Sequence, residues 1–330
     1  MELTATQCRT LFTDFCRKQA ALNNISPHLI MVGESCRQLS LSEEETVWRG
    51  GLYAATYNYP AAEVLWQNWA APSVVLRSKS LQSWLKENWL GVPLRRERKC
   101  VRTPAKLARC LQSFAAWMRG DGLKRLYGNG VGYDDAWEIF QEVYGMGRYI
   151  TIRFLEFLHR YADLRPVMYN SMPREGQHSR KGLALLYPEY KTVLLGSNSW
   201  GDCKESDKLA CRELARLREA GVYYSHYQLA TMLCEFKQAL LGGHLYPGKA
   251  IDSEMKYQRK VLDYWGKRRK SQFMHVRTVF PKETRGEVQG WTEERKPLLT
   301  VLRDYGYNWS DQDYDYAKTR DFSNPVRRVV

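Results

Sequence analysis

The amino-acid sequence predicts an all-helical protein, because its clear apolar patterns have the helical period. Ile150, Phe154 and Leu158 recur every four residues and form one apolar stripe. Ser42 and Glu45 have the spacing of a capping box, in which each side chain satisfies the other residue's backbone amide at a helix start. Further helices are predicted over 104–119, over 205–220 and in the segment that ends at Gly242.

A turn with two glycines joins two of these helices. Asp134 or Asp135 is expected to cap the first helix, and the second begins near Arg148. Between them, Gly145 and Gly147 reach conformations that other residues resist, and they leave the next helix's amides uncovered. Such a helix start attracts a phosphate, and the charge of Arg148 adds to the attraction. We therefore predict that these glycines and Arg148 bind DNA; an ordinary helix corner in the core is the alternative.

The hairpin resembles the helix-hairpin-helix of the endonuclease III-like DNA glycosylases. The matching residues are Val143, Gly145, Met146 and Gly147. The resemblance implies a helix-hairpin-helix glycosylase-like fold, in which the whole chain forms one bilobed helical unit with a cleft between the lobes. We expect about 1–120 and 220–330 in one lobe and 121–220 in the hairpin lobe.

This chain differs from the glycosylases in the segment where they carry their catalytic aspartate. Those enzymes carry a catalytic aspartate after the second hairpin glycine, whereas positions 167–171 here contain Asn170 and no carboxylate. An amide neither activates a nucleophile nor stabilises a cationic sugar as well as a carboxylate does. The substitution argues against excision of a base, and it makes Asn170 a candidate for substrate binding.

The charge of the chain indicates a polyanionic partner. Lys and Arg number 50 and Asp and Glu 36, which gives a net charge of +14. The segment 93–102 is strongly basic, and its arginines either contact phosphate or form a solvated face. The candidates for phosphate contact are Arg95, Arg98 and Arg102. Without a CxxC pair or an apolar run of membrane length, the sequence favours a cytoplasmic protein with free thiols.

Two further groups of polar residues are candidates for a substrate site. The first forms either a pocket wall or ordinary core: Tyr53, Tyr57 and Asn58. The second begins beside a buried helical stripe and continues into a loop rich in glycine and proline, where polar groups often build a site. Its members are Glu235, Lys237, Tyr246, Lys249 and Asp252. A surface loop with incidental charges is the alternative for this second group.

Together these segments resemble the phage family of α-glutamyl/putrescinyl thymine pyrophosphorylases, also described as amino acid:DNA transferases. The residues that carry the resemblance are Trp48, Leu52, Tyr53, Tyr57, Asn58, the stretch 95–102, Gly145, Gly147, the stretch 233–237, Tyr246, Pro247, Gly248 and Asp252. The resemblance implies a transferase that modifies phage DNA in the host cytoplasm. Its substrates would be double-stranded DNA with a (pyro)phosphorylated thymine methyl group, and an amino acid such as glycine or serine, or a polyamine.

The residues of this chain fit such a reaction. A base that reacts at its exocyclic methylene must leave the stack. The leaving (pyro)phosphate needs cations, for which Arg95, Arg98, Arg102 and Lys249 are candidates. The incoming amine must lose a proton, for which Glu235 or Asp252 is the candidate base, with Tyr246 as the third catalytic candidate.

No group of His, Cys and carboxylate residues has the spacing of metal ligands, so we expect neither an essential metal nor a cofactor, apart from Mg²⁺ that accompanies pyrophosphate. Tyr53, Tyr57, Asn58 and Lys237 complete the expected substrate site. The alternatives in function are a glycosylase that removes a modified base and a non-catalytic helix-hairpin-helix protein that only binds DNA.

Overall fold

The computed structural model describes residues 4–21, 27–164, 177–196 and 204–240, with Val261, Tyr264 and Trp265. Every regular element in these ranges is helical, which confirms the predicted all-helical class. The α-helices are α1 Ala5–Ala21, α2 Pro27–Gln38, α3 Glu43–Thr56, α4 Tyr59–Asn68, α5 Pro72–Arg77, α6 Leu81–Glu87, α7 Pro104–Arg119, α8 Gly122–Leu126, α9 Tyr133–Gln141, α10 Arg148–Tyr161, α11 Gln177–Leu186, α12 Lys191–Gly196, α13 Lys204–Glu219 and α14 His226–Leu240. Short 3₁₀ turns cover Trp89–Gly91, Arg96–Val101 and Pro188–Tyr190. Among the described helices, none has both the length and the apolar character that crossing a bilayer requires.

The chain divides into two compact units. The hairpin unit comprises residues 26–169 and 250–286, and the terminal unit comprises 1–25, 170–249 and 287–330. The hairpin helices therefore share a unit with α2–α7, because α10 packs against α2 and α3. The resemblance to the glycosylases implied a different division, with the hairpin in a lobe of residues 121–220.

Helix α3 is the centre of the hairpin unit, where it contacts α2, α4, α7 and α10. The predicted capping box is present: the Ser42 amide donates to the Glu45 carboxylate at 2.9 Å, and the Glu45 amide donates to the Ser42 hydroxyl at 3.3 Å. Two glycines let the neighbouring helices approach closely. A Cβ atom at Gly51 would lie 1.7 Å from the Phe114 ring, and one at Gly50 would lie 2.3 Å from Phe157.

From the sequence, Pro60 is expected to stop the helix that the capping box at Ser42 begins, but the structure ends this helix earlier. Tyr57 has a φ of +50°, which ends α3 in the left-handed region. Asn58 then caps α4, since its side-chain oxygen accepts from the Ala61 amide at 3.2 Å. The proline lies in the first turn of α4, where its missing N–H has no helical partner to lose.

The glycine hairpin has the predicted helices with one correction. Helix α10 begins at Arg148 with Gly147 as its N-cap, as expected. The expected cap of α9 at Asp134 or Asp135 is wrong: the N-cap is Gly132, whose amide donates to the Asp135 carboxylate at 2.9 Å. The apolar face of α10 is buried and stacks on α9, where the Phe140 and Phe154 ring centroids lie 4.1 Å apart.

The terminal unit is built around α1, α11, α13 and α14. Its apolar core combines leucines with aromatic rings and includes Phe12, Phe15, Leu209, Leu217 and Phe236. Helices α11 and α14 approach closely, because a Cβ atom at Gly182 would lie 2.5 Å from the Leu233 carbonyl oxygen. The predicted helix over 205–220 matches α13, and Gly221 follows it in the left-handed conformation, with a φ of +78°.

Candidate functional site

A cluster of tyrosine, histidine and arginine side chains lies beside the hairpin in the hairpin unit. We call it the tyrosine–arginine cluster; it comprises His28, Tyr53, Tyr57, Arg95, Tyr149 and Arg153. Four elements supply these residues: α2, α3 with its left-handed end, the stretch before the second 3₁₀ turn, and the first turns of α10. The cluster therefore unites three predicted site residues, Tyr53, Tyr57 and Arg95, with the helix that follows the hairpin.

The exposed fraction of the three tyrosines in the cluster increases from the core to the surface. Tyr53 is fully buried, Tyr57 is 4% exposed and Tyr149 is 41% exposed. The hydroxyl oxygens of Tyr57 and Tyr149 lie 2.8 Å apart, and their rings meet edge to face at 5.5 Å. His28 packs against Tyr57 at 5.0 Å between ring centroids. Tyr149 is therefore the accessible member, and the buried rings fix its orientation.

The two arginines bring positive charge to the cluster. The guanidinium carbon of Arg95 lies 5.7 Å from the centroid of the Tyr57 ring. That of Arg153 lies 5.2 Å from the centroid of the Tyr149 ring. Arg153 is buried and donates to Glu156 at 2.9 Å, whereas Arg95 is only half-buried. The accessible edge of the cluster is thus formed by Tyr149 and Arg95.

The protonation states of the cluster follow from burial and from the arginines. Burial, and then the charges of Arg95 and Arg153, hold the pKa of His28 well below its ordinary value. Burial is also the main cause that raises the pKa of Tyr53 and Tyr57. Near neutral pH the imidazole is therefore uncharged and these two hydroxyls keep their protons. Arg153 is paired with Glu156, so the positive charge at the accessible edge is that of Arg95, which suits an anionic ligand.

Arg98, a predicted phosphate contact, lies inside the hairpin unit. It is 1% exposed; its Nε donates to the Ala55 carbonyl and its Nη1 to the Gly145 carbonyl, both at 2.8 Å. This side chain ties the end of α3 to the hairpin turn. Its neighbour Val101 packs there too, since a Cβ atom at Gly145 would lie 2.7 Å from it. In this structure Arg98 supports the hairpin rather than facing solvent.

The hairpin turn itself is open on its outer side. Gly145 has a φ of +77° and requires glycine, whereas Gly147 has a φ of −71° and no atom within 4 Å of a Cβ position. Exposed cations stand nearby on α7: the guanidinium carbon of Arg109 lies 4.1 Å from the centroid of the Tyr144 ring in the hairpin. Arg102, just before α7, is also exposed.

The predicted pair on α14 belongs to the terminal unit and faces two different helices. Glu235 accepts a hydrogen bond from the buried Gln19 of α1 at 2.9 Å. Lys237, two positions on, is 5% exposed and lies with its Nζ 2.7 Å from Nδ1 of His178 on α11. Burial lowers the pKa of both Lys237 and His178. The two predicted groups therefore contact side chains of different helices.

The remaining predicted site residues fall outside the described part of the chain. These are Asn170, Tyr246, Lys249 and Asp252. The side chain of Arg148 is outside it as well, although its backbone opens α10.

Sequence reasoning missed three members of the cluster, His28, Tyr149 and Arg153. A signal existed for two of them, because Tyr149 and Arg153 stand one helical turn apart directly after the hairpin. His28 had none, since its position in the cluster depends on how α2 packs against α3 and α10.

These features define an all-helical, strongly basic protein whose accessible cluster is suited to an anionic ligand. The family model for amino acid:DNA transferases matches residues 51–244, which includes most of the described helices. The chain belongs to this family: it is a transferase that uses DNA and an amino acid to make hypermodified thymine in phage DNA. No curated protein and no solved structure matches the chain.

Proposed function

We propose that the protein acts on double-stranded DNA whose thymine carries a (pyro)phosphate on its methyl carbon. The amine nitrogen of an amino acid or polyamine forms a bond to that methylene carbon while the carbon–oxygen bond to the (pyro)phosphate breaks. The proton of the amine passes to a carboxylate, and (pyro)phosphate leaves. The observation that carries this proposal is the tyrosine–arginine cluster, which combines an exposed aromatic ring with cationic groups beside the hairpin.

The reaction requires the modified base to leave the duplex, since its methylene carbon is not open to attack inside the stack. Extrusion costs a few kcal/mol, and contact with aromatic rings offsets part of that cost. Tyr149 is the ring that an everted nucleotide meets, because it is exposed while Tyr57 holds its hydroxyl. Arg95 supplies positive charge at the same edge for the phosphate that leaves.

The hairpin is proposed to hold the DNA backbone as it does in helix-hairpin-helix glycosylases. The first amides of α10 have no partner within the helix, and the outer side of Gly147 is open to a phosphate group. Arg102 and Arg109 are exposed next to this turn and add charge. Arg98 contributes indirectly, because it holds the Gly145 carbonyl and with it the shape of the turn.

The proton acceptor is proposed to be Glu235 or Asp252, with Tyr246 beside them. Glu235 is half-buried, and its hydrogen bond from Gln19 fixes one carboxylate oxygen. Lys237, Lys249 and Asn170 are proposed to bind substrate.

The variants Glu235→Ala and Asp252→Ala test the assignment of the proton acceptor. We expect turnover to fall in both variants while DNA binding is retained. Wild-type turnover in both variants would contradict the assignment.

The test of the function is a product analysis. The full chain is incubated with duplex DNA that contains 5-phosphomethyl- or 5-pyrophosphomethyl-deoxyuridine, together with glycine, serine, glutamate or putrescine. The DNA is then digested to nucleosides for mass spectrometry. An adduct with release of (pyro)phosphate is the expected result. Abasic sites would identify a glycosylase instead, and unchanged DNA despite tight binding would identify a DNA-binding protein without chemistry.

A further inference from the structure

A cavity of about 450 Å³ lies in the terminal unit, well away in sequence from the residues of the tyrosine–arginine cluster. Its walls come from α1, from the 3₁₀ turn after α11 and from α13. The charged and aromatic residues that line it are Arg9, Tyr187, Glu189, Arg212, Arg216 and Glu219. This volume lies in the range of small-molecule sites in proteins, and it exceeds what a single ordered water would need.

The floor of the cavity is a tyrosine ring between two arginines. The guanidinium carbons of Arg9 and Arg212 lie 5.5 Å and 5.9 Å from the centroid of the Tyr187 ring. Tyr187 is 3% exposed, and its hydroxyl donates to the buried Glu213 at 2.9 Å. The ring is therefore held in place, and it holds both arginines by cation–π contact.

The third arginine of the cavity is already neutralised. Arg216 forms an ion pair with Glu213 and donates to the backbone carbonyl of Arg9 at 2.9 Å. By contrast, within the described ranges Arg9 donates only to the Leu186 carbonyl and to a threonine hydroxyl, and Arg212 forms no hydrogen bond there. Neither Arg9 nor Arg212 has an acidic partner among the described residues.

Two carboxylates at the same cavity likewise lack a partner of opposite charge among the described residues. Glu189 and Glu219 are exposed, and neither forms an ion pair within the part of the chain that the structure describes. The cavity therefore presents two guanidinium groups and two carboxylates that the protein does not pair with one another. A ligand that matches both signs carries an anionic and a cationic group, as a free amino acid does with its carboxylate and ammonium groups.

We infer that this cavity binds the free amino acid, with its carboxylate at Arg9 and Arg212 and its ammonium group at Glu189 or Glu219. The inference rests on the proposed function and adds the site at which the second substrate is taken up. A polyanion such as pyrophosphate would meet two carboxylates here, and a diamine would meet two guanidinium groups. The mixed lining favours a zwitterion over both.

The test compares Arg212→Gln with Arg218→Gln in the full chain. Both arginines are exposed on α13, but Arg218 does not line the cavity. We expect Arg212→Gln to raise the KM for glycine or serine about fivefold, since a solvated charge pair contributes up to about that factor. The KM for DNA and kcat should stay unchanged, and Arg218→Gln should behave as wild type. Glu219→Gln should raise the same amino-acid KM.

Calorimetric titration separates this inference from the proposed reaction, because it needs no turnover. The titrants are glycine, serine, pyrophosphate and putrescine, each added to the wild type and to both arginine variants. Binding of glycine or serine that weakens in Arg212→Gln alone supports the site. Equal amino-acid affinity in the two variants, an absence of amino-acid binding, or binding of pyrophosphate or putrescine that depends on Arg212 would overturn it. Transfer activity with an unaltered amino-acid KM would overturn this site while the proposed function stands.

Discussion

The tyrosine–arginine cluster of the hairpin unit and the cavity of the terminal unit both combine arginine with tyrosine, yet their charges differ. In the cluster, tyrosine rings lie against Arg95 and Arg153, and the buried Glu156 pairs with both Arg153 and Arg160. In the cavity, exposed carboxylates stand beside the arginines. The first arrangement suits an anion and the second a zwitterion. The difference teaches that the unpaired carboxylates, rather than the number of arginines, determine which ligand is favoured.

The largest expected effect comes from removing the support of the hairpin. Arg98→Met leaves the buried Ala55 carbonyl without its guanidinium donor, and it leaves the Gly145 carbonyl with the longer bond from the Cys100 thiol at 3.4 Å. We expect a loss of about 3 kcal/mol in unfolding free energy, measured by chemical denaturation. Arg102→Met, at an exposed position, is the control and should lie within about 0.5 kcal/mol of wild type.

The same variant tests whether the two sites are independent. Because Arg98 binds the carbonyls of Ala55 and Gly145 within the hairpin unit, glycine affinity measured by calorimetry below the unfolding temperature should be retained. If the folded Arg98→Met variant also lost glycine binding, the two sites would not be independent of one another.

The second expected effect concerns the exposed ring of the cluster. Tyr149→Ala should reduce kcat/KM for the modified DNA about 30-fold, since stacking of a base on an aromatic ring contributes about 2 kcal/mol. Tyr149→Phe, which loses the hydroxyl contacts with Tyr57 and Arg153, should cost about fivefold. Tyr223→Ala, at a ring that is 74% exposed in the terminal unit, should leave kcat/KM unchanged. Equal losses in both alanine variants would remove Tyr149 from the site.

The third expected effect tests whether the first backbone amides of α10, after the hairpin, bind a DNA phosphate. Gly147→Asp places a good N-cap residue at a position with an ordinary φ and free space, so the fold should be kept. Its carboxylate competes with a phosphate for the amides of α10 and should weaken DNA affinity about tenfold at low salt. Gly147→Asn, a neutral cap of the same shape, should weaken it much less. Fluorescence anisotropy over a salt series measures both, and equal affinities would show that the hairpin is structural only.

The smallest expected effect is on the pH dependence of stability, to which His28 of the tyrosine–arginine cluster contributes. The pKa of His28 is lowered in the folded chain, so the unfolded chain binds a proton first as pH falls below about 6.5. Stability from the neutral imidazole is present above that pH and is lost as pH falls toward the lowered pKa.

His28→Gln should therefore flatten the pH dependence of stability. Between pH 7 and pH 5.5 the wild type should lose about 1 kcal/mol more than the variant, as measured by denaturation at each pH. His178→Gln is the comparison, because its pKa is lowered at a more exposed place and the slope it removes should be smaller. Parallel pH profiles for wild type and His28→Gln would show that the cluster does not hold a neutral histidine.

Much of the helical framework was predictable because its signals are local. The capping box at Ser42, the helices over 104–119 and 205–220, and the start of α10 after Gly147 each depend on residues within a few positions of one another. The family was also recognisable from short motifs in order. The break at Tyr57 was missed because Pro60 is compatible with both the end of one helix and the start of the next.

The site could be predicted only in part. Three of the predicted site residues, Tyr53, Tyr57 and Arg95, lie in one cluster, but the sequence does not distinguish its buried members from its accessible ones. Sequence analysis grouped Arg98 with the phosphate contacts, because a basic run does not reveal which of its side chains turns inward. Glu235 and Lys237 looked like neighbours on one helix, yet their separation of two residues directs them to α1 and α11.

The sequence by itself determined the helical class, the glycine hairpin, the excess of positive charge and the family, since these depend on composition and on neighbours along the chain. Tertiary structure alone decided that His28 and Tyr57 meet Tyr149, and that Arg9 and Arg212 share one tyrosine ring. The physical reason is that side chains far apart in sequence meet only where helices pack, and packing is a property of whole helix faces. The packing of helices therefore decides whether a charged side chain has a partner, and which ligand it can still bind.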